Sequence, residues 1–129
     1  MEKIVIQGTE KSPTVNFDNE TGLLVLEGRS LIEDSESFYL PLVEWIIKYT
    51  ELPAPKTIVD LNFEYFNTSC SKWLITITKQ LKILFEKKPE TIINWYYEDD
   101  DVLEYGEVIR DLVDIPINMI EIEIEEEDI

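Results

Sequence analysis

From Thr57 to Val113 the chain alternates two periodicities, and that alternation limits its possible folds more than any other feature. Thr57-Ile58-Val59-Asp60-Leu61-Asn62-Phe63 sets Val59, Leu61 and Phe63 on one side and Ile58, Asp60 and Asn62 on the other, the period of a half-buried strand. Cys70, Trp73, Leu74, Ile77, Leu81, Leu84 and Phe85 then recur at helical spacing, which predicts a helix over 69–87. Lys79, Lys82, Lys87 and Lys88 load its C-terminal half, where cations suit the helix dipole, and Pro89 ends it. Thr91 to Tyr97 is again β-prone and is expected as a central strand. The acid run Glu98-Asp99-Asp100-Asp101 opens a third helix through about Val113, with Val102, Tyr105, Ile109 and Leu112 facing inward and Gly106 allowing a close helix–sheet approach. Strand–helix–strand order of this kind gives right-handed parallel crossovers.

The flanks extend the pattern. Ile4-Val5-Ile6 reads as a short first strand. Thr14 to Asp18 and Leu23 to Glu27 flank Asn19-Glu20-Thr21-Gly22, a hairpin signal with Gly22 as the permissive turn residue. Gly28 to Ser37 is polar and reads as a loop. Phe38, Leu42, Trp45, Ile46 and Tyr49 predict a helix over 37–50, with Pro41 in its opening turn. Leu52-Pro53-Ala54-Pro55 stops it. After Val113, Ile115, Ile117, Met119, Ile120, Ile122 and Ile124 give way to alternation with Glu121, Glu123 and Glu125. That reads as a last strand whose acids discourage edge pairing, and Glu126 to Asp128 should fray. The order β-β-β-α-β-α-β-α-β predicts an α/β fold: one compact domain over 1–129, a mixed β-sheet packed against helices.

Charge and missing residue types narrow the function. The net charge of −17 disfavours nucleic acid and anionic membrane as partners and favours a partner with a basic face. The chain has no histidine and one cysteine. That removes Ser-His and Cys-His nucleophile pairs and a structural zinc site, and a lone thiol fits a reduced, cytoplasmic setting. No apolar run approaches the roughly 20 residues of a membrane helix. The four glycines form neither a Walker loop nor a dinucleotide fingerprint. The sequence therefore offers no catalytic constellation and implies no cofactor.

The most informative junction is Glu64-Tyr65-Phe66-Asn67-Thr68-Ser69-Cys70-Ser71-Lys72-Trp73, where the strand hands over to the second helix. Asn67, Thr68 and Ser69 are capping residue types. A helix start carries unpaired N–H groups and about half a positive charge, so a hydroxyl there can hold a phosphoryl group against the dipole. On these residues alone an ordinary N-cap is the commoner reading. Cys70, in helical phase with Trp73, Leu74 and Ile77, reads as a small buried hydrophobe.

Tyr65-Phe66-Asn67-Thr68-Ser69-Cys70-Ser71-Lys72 resembles the YFNTSSSK signature of the SiaC family of bacterial regulatory phosphoproteins. Asn94 to Glu107 resembles the same family's tryptophan–tyrosine–acid segment, and Phe38-Tyr39-Leu40-Pro41-Leu42 with Trp45 and Tyr49 gives a weaker third match. The resemblance implies a domain akin to the STAS fold of anti-sigma-factor antagonists, with Thr68 as phosphoacceptor. It further implies a cognate Ser/Thr kinase, a PP2C-type phosphatase, and a target such as a diguanylate cyclase, linking the family to biofilm control. The chain departs from the pattern at Cys70, where the family has serine, and at Arg29 to Asp34, which replaces a proline–glutamate turn.

The expected function is a non-enzymatic adaptor switched at Thr68, with Ser69 and Ser71 as runner-up acceptors. Asn67 caps the turn, and Tyr65, Phe66, Asn67, Ser69, Tyr97 and Tyr105 form the partner-binding face. The rival is a small enzyme holding a divalent metal on Asp99, Asp100, Asp101 and Glu104, since hard cations take oxygen ligands. A solvated acid cluster favoured by the helix dipole competes with that rival.

Overall fold

The structure is a computed structural model and describes residues 1–123. Three strands open the chain: β1 (Ile4–Ile6), β2 (Thr14–Phe17) and β3 (Leu23–Ser30). Helices and strands then alternate as α1 (Ser35–Glu51), β4 (Ile58–Phe66), α2 (Thr68–Lys87), β5 (Ile92–Tyr97), α3 (Asp100–Val113) and β6 (Asn118–Glu121). The six strands lie in one sheet in chain order. β1, β2 and β3 form an antiparallel meander, while β3 to β6 pair in parallel. This is the expected mixed α/β sheet, and β5 lies inside it between β4 and β6. The part of the last strand predicted beyond Glu123, and the fraying of Glu126 to Asp128, lie outside the described residues.

The helices form one layer. α1 packs on α2 and α2 on α3, over the side of the sheet that carries Val15, Phe17, Leu24, Leu26, Val59, Leu61, Phe63, Ile93 and Trp95, all buried in one core. The other side carries Val25, Asp60, Asn62, Asn94 and Tyr96, all half-buried. There Asn118 Nδ2 donates to Asn94 Oδ1 at 3.1 Å, and Asn94 Nδ2 donates to Asp60 Oδ1 at 2.9 Å. Polar side chains that satisfy one another let this face stay in water.

Four features differ from expectation. β3 runs to Ser30, so the loop predicted from Gly28 shrinks to Leu31–Asp34. β4 likewise continues to Phe66, because Arg29 and Ser30 stay paired with Tyr65 and Phe66. α1 starts at Ser35 with Asp34 as its cap: the carboxylate accepts from the Ser37 amide at 3.3 Å and the Ser37 hydroxyl at 2.6 Å. Pro41 is therefore the seventh residue of α1, not part of its opening turn. The bond forgone there belongs to the Ser37 carbonyl, and Ser37 is exposed to water. Finally, Leu112 is 62% exposed rather than inward. The buried line of α3 is Val102, Gly106, Ile109 and Val113. Gly106 brings the helix axis close to the sheet along that line, which swings Leu112 outward.

Candidate functional site

The carboxyl ends of the parallel strands are where open α/β sheets place their sites, and the junction singled out in the sequence lies at one of them. A β-bulge shapes it. Gly28 pairs with Phe63 but Arg29 pairs with Tyr65, so Glu64 is an extra residue on β4. Gly28 holds φ 120° beside this register shift, a conformation open to glycine and strained for other residues. Because strand side chains alternate, one extra residue exchanges the two faces. Phe66 consequently joins the helix side, 4.8 Å from the Tyr105 ring and 6.3 Å from Trp95. Tyr65 turns outward and is 55% exposed.

Asn67 then stops the strand and starts α2. Its backbone is extended (φ −85°, ψ 173°), and its Oδ1 accepts from the Cys70 amide at 2.9 Å, as expected of an N-cap. Its amide N–H donates to the Ser30 carbonyl at 3.0 Å, and its Nδ2 donates to the Ile32 carbonyl at 3.4 Å. The Cys70 thiol, fully buried as predicted, lies 3.9 Å from that same Ile32 oxygen. The Ser30–Ile32 segment therefore clamps the turn. On the other flank Tyr105 donates its hydroxyl proton to the Ser71 carbonyl at 3.1 Å, which ties α3 to the first turn of α2. Thr68, the first residue of α2, stands exposed on this pinned frame, with exposed Ser69 beside it. Ser69 Oγ donates to Asn67 Oδ1 at 3.0 Å, while Ser71 is buried and its hydroxyl is turned to the Thr68 carbonyl at 2.7 Å.

Replacing Asn67 with alanine should cost about 1 kcal/mol from the cap and somewhat more through the lost hold on Ile32. Urea denaturation should show a lower midpoint with an unchanged slope, whereas Asn67→Asp, which keeps the cap, should recover most of the loss.

Tyr65, Phe66, Asn67, Ser69 and Tyr105 thus come together around Thr68. Phe66, Tyr65, Val102, Tyr105 and Asp101 line a recess of about 210 Å³ beside it. Tyr97 ends β5 on the same edge, half-buried against the core, and its carbonyl accepts from the Ile122 amide at 2.8 Å; it is not among the residues lining the recess. Sequence reasoning missed Ser30, Ile32 and Tyr39. Tyr39 is wholly buried, pairs with the Ser30 hydroxyl and stacks on Trp73 at 6.4 Å, and burial pushes its phenol far above the usual range. A serine ending a strand gives no sign in sequence that it receives a helix cap.

The acids beside the recess do not assemble into a metal site: among the described residues no three carboxylates or thiols converge on a common point. Asp99 Oδ1 is occupied by the Val102 amide at 2.9 Å, as the N-cap of α3. Asp100 and Asp101 fall in the first turn, where the dipole favours them. Asp99, Asp100, Asp101 and Glu104 therefore do not form a preassembled ligand set. Among the described residues no helix is long and apolar enough to cross a membrane.

The domain is a two-layer α/β sandwich, one sheet under one layer of helices, that presents the Thr68 hydroxyl on a pinned helix start with an aromatic recess beside it. The model of the SiaC family of regulatory phosphoproteins matches residues 6–122, and the chain belongs to that family. An uncharacterized protein of Pseudomonas aeruginosa (strain UCBPP-PA14) is 25% identical over 118 residues, covering 90% of this chain and 94% of the relative. The crystal structure of apo-SiaC from Pseudomonas aeruginosa is similar in fold, with a TM-score of 0.83 at 24% identity over 93% of this chain and 99% of that one. The crystal structure of the diguanylate cyclase SiaD in complex with its activator SiaC, from the same organism, contains a chain that matches at TM-score 0.83 and 23% identity, covering 92% of this chain and 99% of that one.

Proposed function

We propose that this chain is a non-enzymatic cytoplasmic adaptor whose binding to a partner protein is controlled by reversible phosphorylation of Thr68. A cognate Ser/Thr kinase adds the phosphate and a PP2C-type phosphatase removes it. The target is a diguanylate cyclase, by analogy with SiaD, and the unmodified form is the one that binds. The observation carrying this reading is the exposed Thr68 at the first position of α2, on a turn held from both sides. A kinase can reach that hydroxyl without unfolding anything, and the amides of the first turn stabilise the phosphate once it is there. Ser71, buried and bonded inward, is the least accessible of the three candidate acceptors.

Phosphopeptide mapping of protein isolated from its host tests this reading. The label is expected on Thr68 and absent from Thr68→Ala. A label on Ser69 or Ser71 that survives Thr68→Ala would reassign the switch. Titration calorimetry with magnesium, manganese and calcium tests the rival, and a flat trace that Asp101→Asn leaves unaltered is expected.

A further inference from the structure

We infer that the recess formed by Tyr65, Phe66, Val102, Tyr105 and Asp101 is the anchor point of the docking face, and that it takes a partner segment carrying one large apolar side chain next to an arginine or lysine. This inference deepens the proposed function and rests on it for its regulation, but not for binding itself.

Four observations carry it. First, the recess is open and about 210 Å³, below the roughly 300–1,000 Å³ of small-molecule sites and suited to a single side chain. Second, its floor is apolar, made by Phe66 and Tyr105 in edge contact at 4.8 Å and by Val102. Tyr65 forms an outward wall, aimed there by the bulge at Glu64 rather than by ordinary strand alternation. Solvent-facing aromatics beside a pocket are the usual anchors of protein interfaces. Third, Asp101 is the one charged group on the rim, and it is exposed. Among the described residues the single ion pair joins Arg110 to Asp111, away from this site. A carboxylate beside an apolar floor, on a chain of net charge −17, selects a cationic neighbour for the apolar anchor and repels an acidic one. It also argues against a second copy of this chain as the occupant. Fourth, the recess adjoins Thr68, because Tyr65 and Phe66 precede it by two or three residues and Tyr105 bonds the Ser71 carbonyl. A segment seated in the recess crosses the first turn of α2, so a hydrated dianion on Thr68 stands in its path.

Panning a random-peptide phage library on the unphosphorylated protein, followed by NMR titration of the selected peptides, tests the inference. Selected sequences should pair a Leu, Met, Phe or Trp with Arg or Lys within two positions, and the signals they shift should be those of Tyr65, Phe66, Val102 and Tyr105. Tyr65→Ala removes an exposed wall and should fold normally while weakening these peptides roughly tenfold or more. Asp101→Lys should reverse the preference toward acid-flanked peptides. Peptides without a basic residue, unchanged binding to Tyr65→Ala, or shifts confined to the polar sheet face around Asp60 and Asn94 would each overturn the inference. Repeating the titration on Thr68→Glu separates the two claims. Peptides that seat in the recess equally well in both proteins leave the anchor standing and remove its link to Thr68. Loss of cyclase binding in Thr68→Glu without recess-directed peptides leaves the switch standing and removes the anchor.

Discussion

Phosphorylation of Thr68 should weaken partner binding about a hundredfold or more, equivalent to about 3 kcal/mol, and leave the fold intact. The sign follows from where the charge sits in each state. In the free protein a phosphate of about −1.5 to −2 charges lies in water at the N-terminus of a 20-residue helix, with Lys72 one helical turn further along. That state is comfortable, so thermal unfolding should shift little on phosphorylation. In the proposed bound state the same charge is covered by the partner, beside exposed Glu64 and the acid run that opens α3. Dehydrating a dianion next to other anions costs several kcal/mol on any reasonable scale. Thr68→Glu carries only part of the charge and should show a smaller loss, about tenfold, while Thr68→Ala should bind like the unmodified protein. Surface plasmon resonance against the proposed cyclase partner resolves all three. Tighter binding of the phosphorylated form would mean that a partner cation reaches Thr68 itself, and the release model would fall.

How much of this was readable in advance depended on whether a residue's role is set locally or by a distant neighbour. The strands and helices were legible because periodicity is local: Val59, Leu61 and Phe63 on one face and Leu74, Ile77, Leu81 and Leu84 on another fix their partners whatever the details. Asn67 as cap and Cys70 as a buried thiol were legible for the same reason. The bulge was not, because the extra residue at Glu64 is defined only by pairing with β3, a segment some 35 positions earlier that itself read as a loop from Gly28 onward. The aim of Tyr65 was hidden with it. Leu112 failed differently. An amphipathic stripe fixes a helix face only to within about one position, and Gly106, having no side chain, added nothing to the stripe although it lies on the buried line.

That glycine carries the second large expectation. Gly106→Ala should destabilise the domain and weaken partner binding, although position 106 lies outside the recess. An alanine Cβ there would fall 2.5 Å from Trp95 Nε1 and 2.6 Å from its Cδ1, where carbon contacts need about 3.5–4.0 Å. The indole has no room to yield: it is 1% exposed, donates to the Val102 carbonyl at 3.0 Å, and is flanked by Phe63 and Phe66. α3 must therefore lift from the sheet. Overpacking of this kind costs about 1–3 kcal/mol, and the better helix propensity of alanine returns up to about 1 kcal/mol, so a net loss of about 1–2 kcal/mol is expected in urea denaturation. Leu112→Ala on the exposed side of the same helix should stay within about 0.5 kcal/mol. The displacement also carries Tyr105, the adjacent residue, away from both the Ser71 carbonyl and the Phe66 ring, and with it one wall of the recess and one clamp on the Thr68 turn. Partner affinity should fall under conditions where the variant is still fully folded, and Tyr105→Phe, which keeps the ring but not the hydroxyl, should show how much of that fall comes from the clamp. If Gly106→Ala matches the unaltered protein in both stability and binding, then the packing of α3 on Trp95 does not hold the docking face in place.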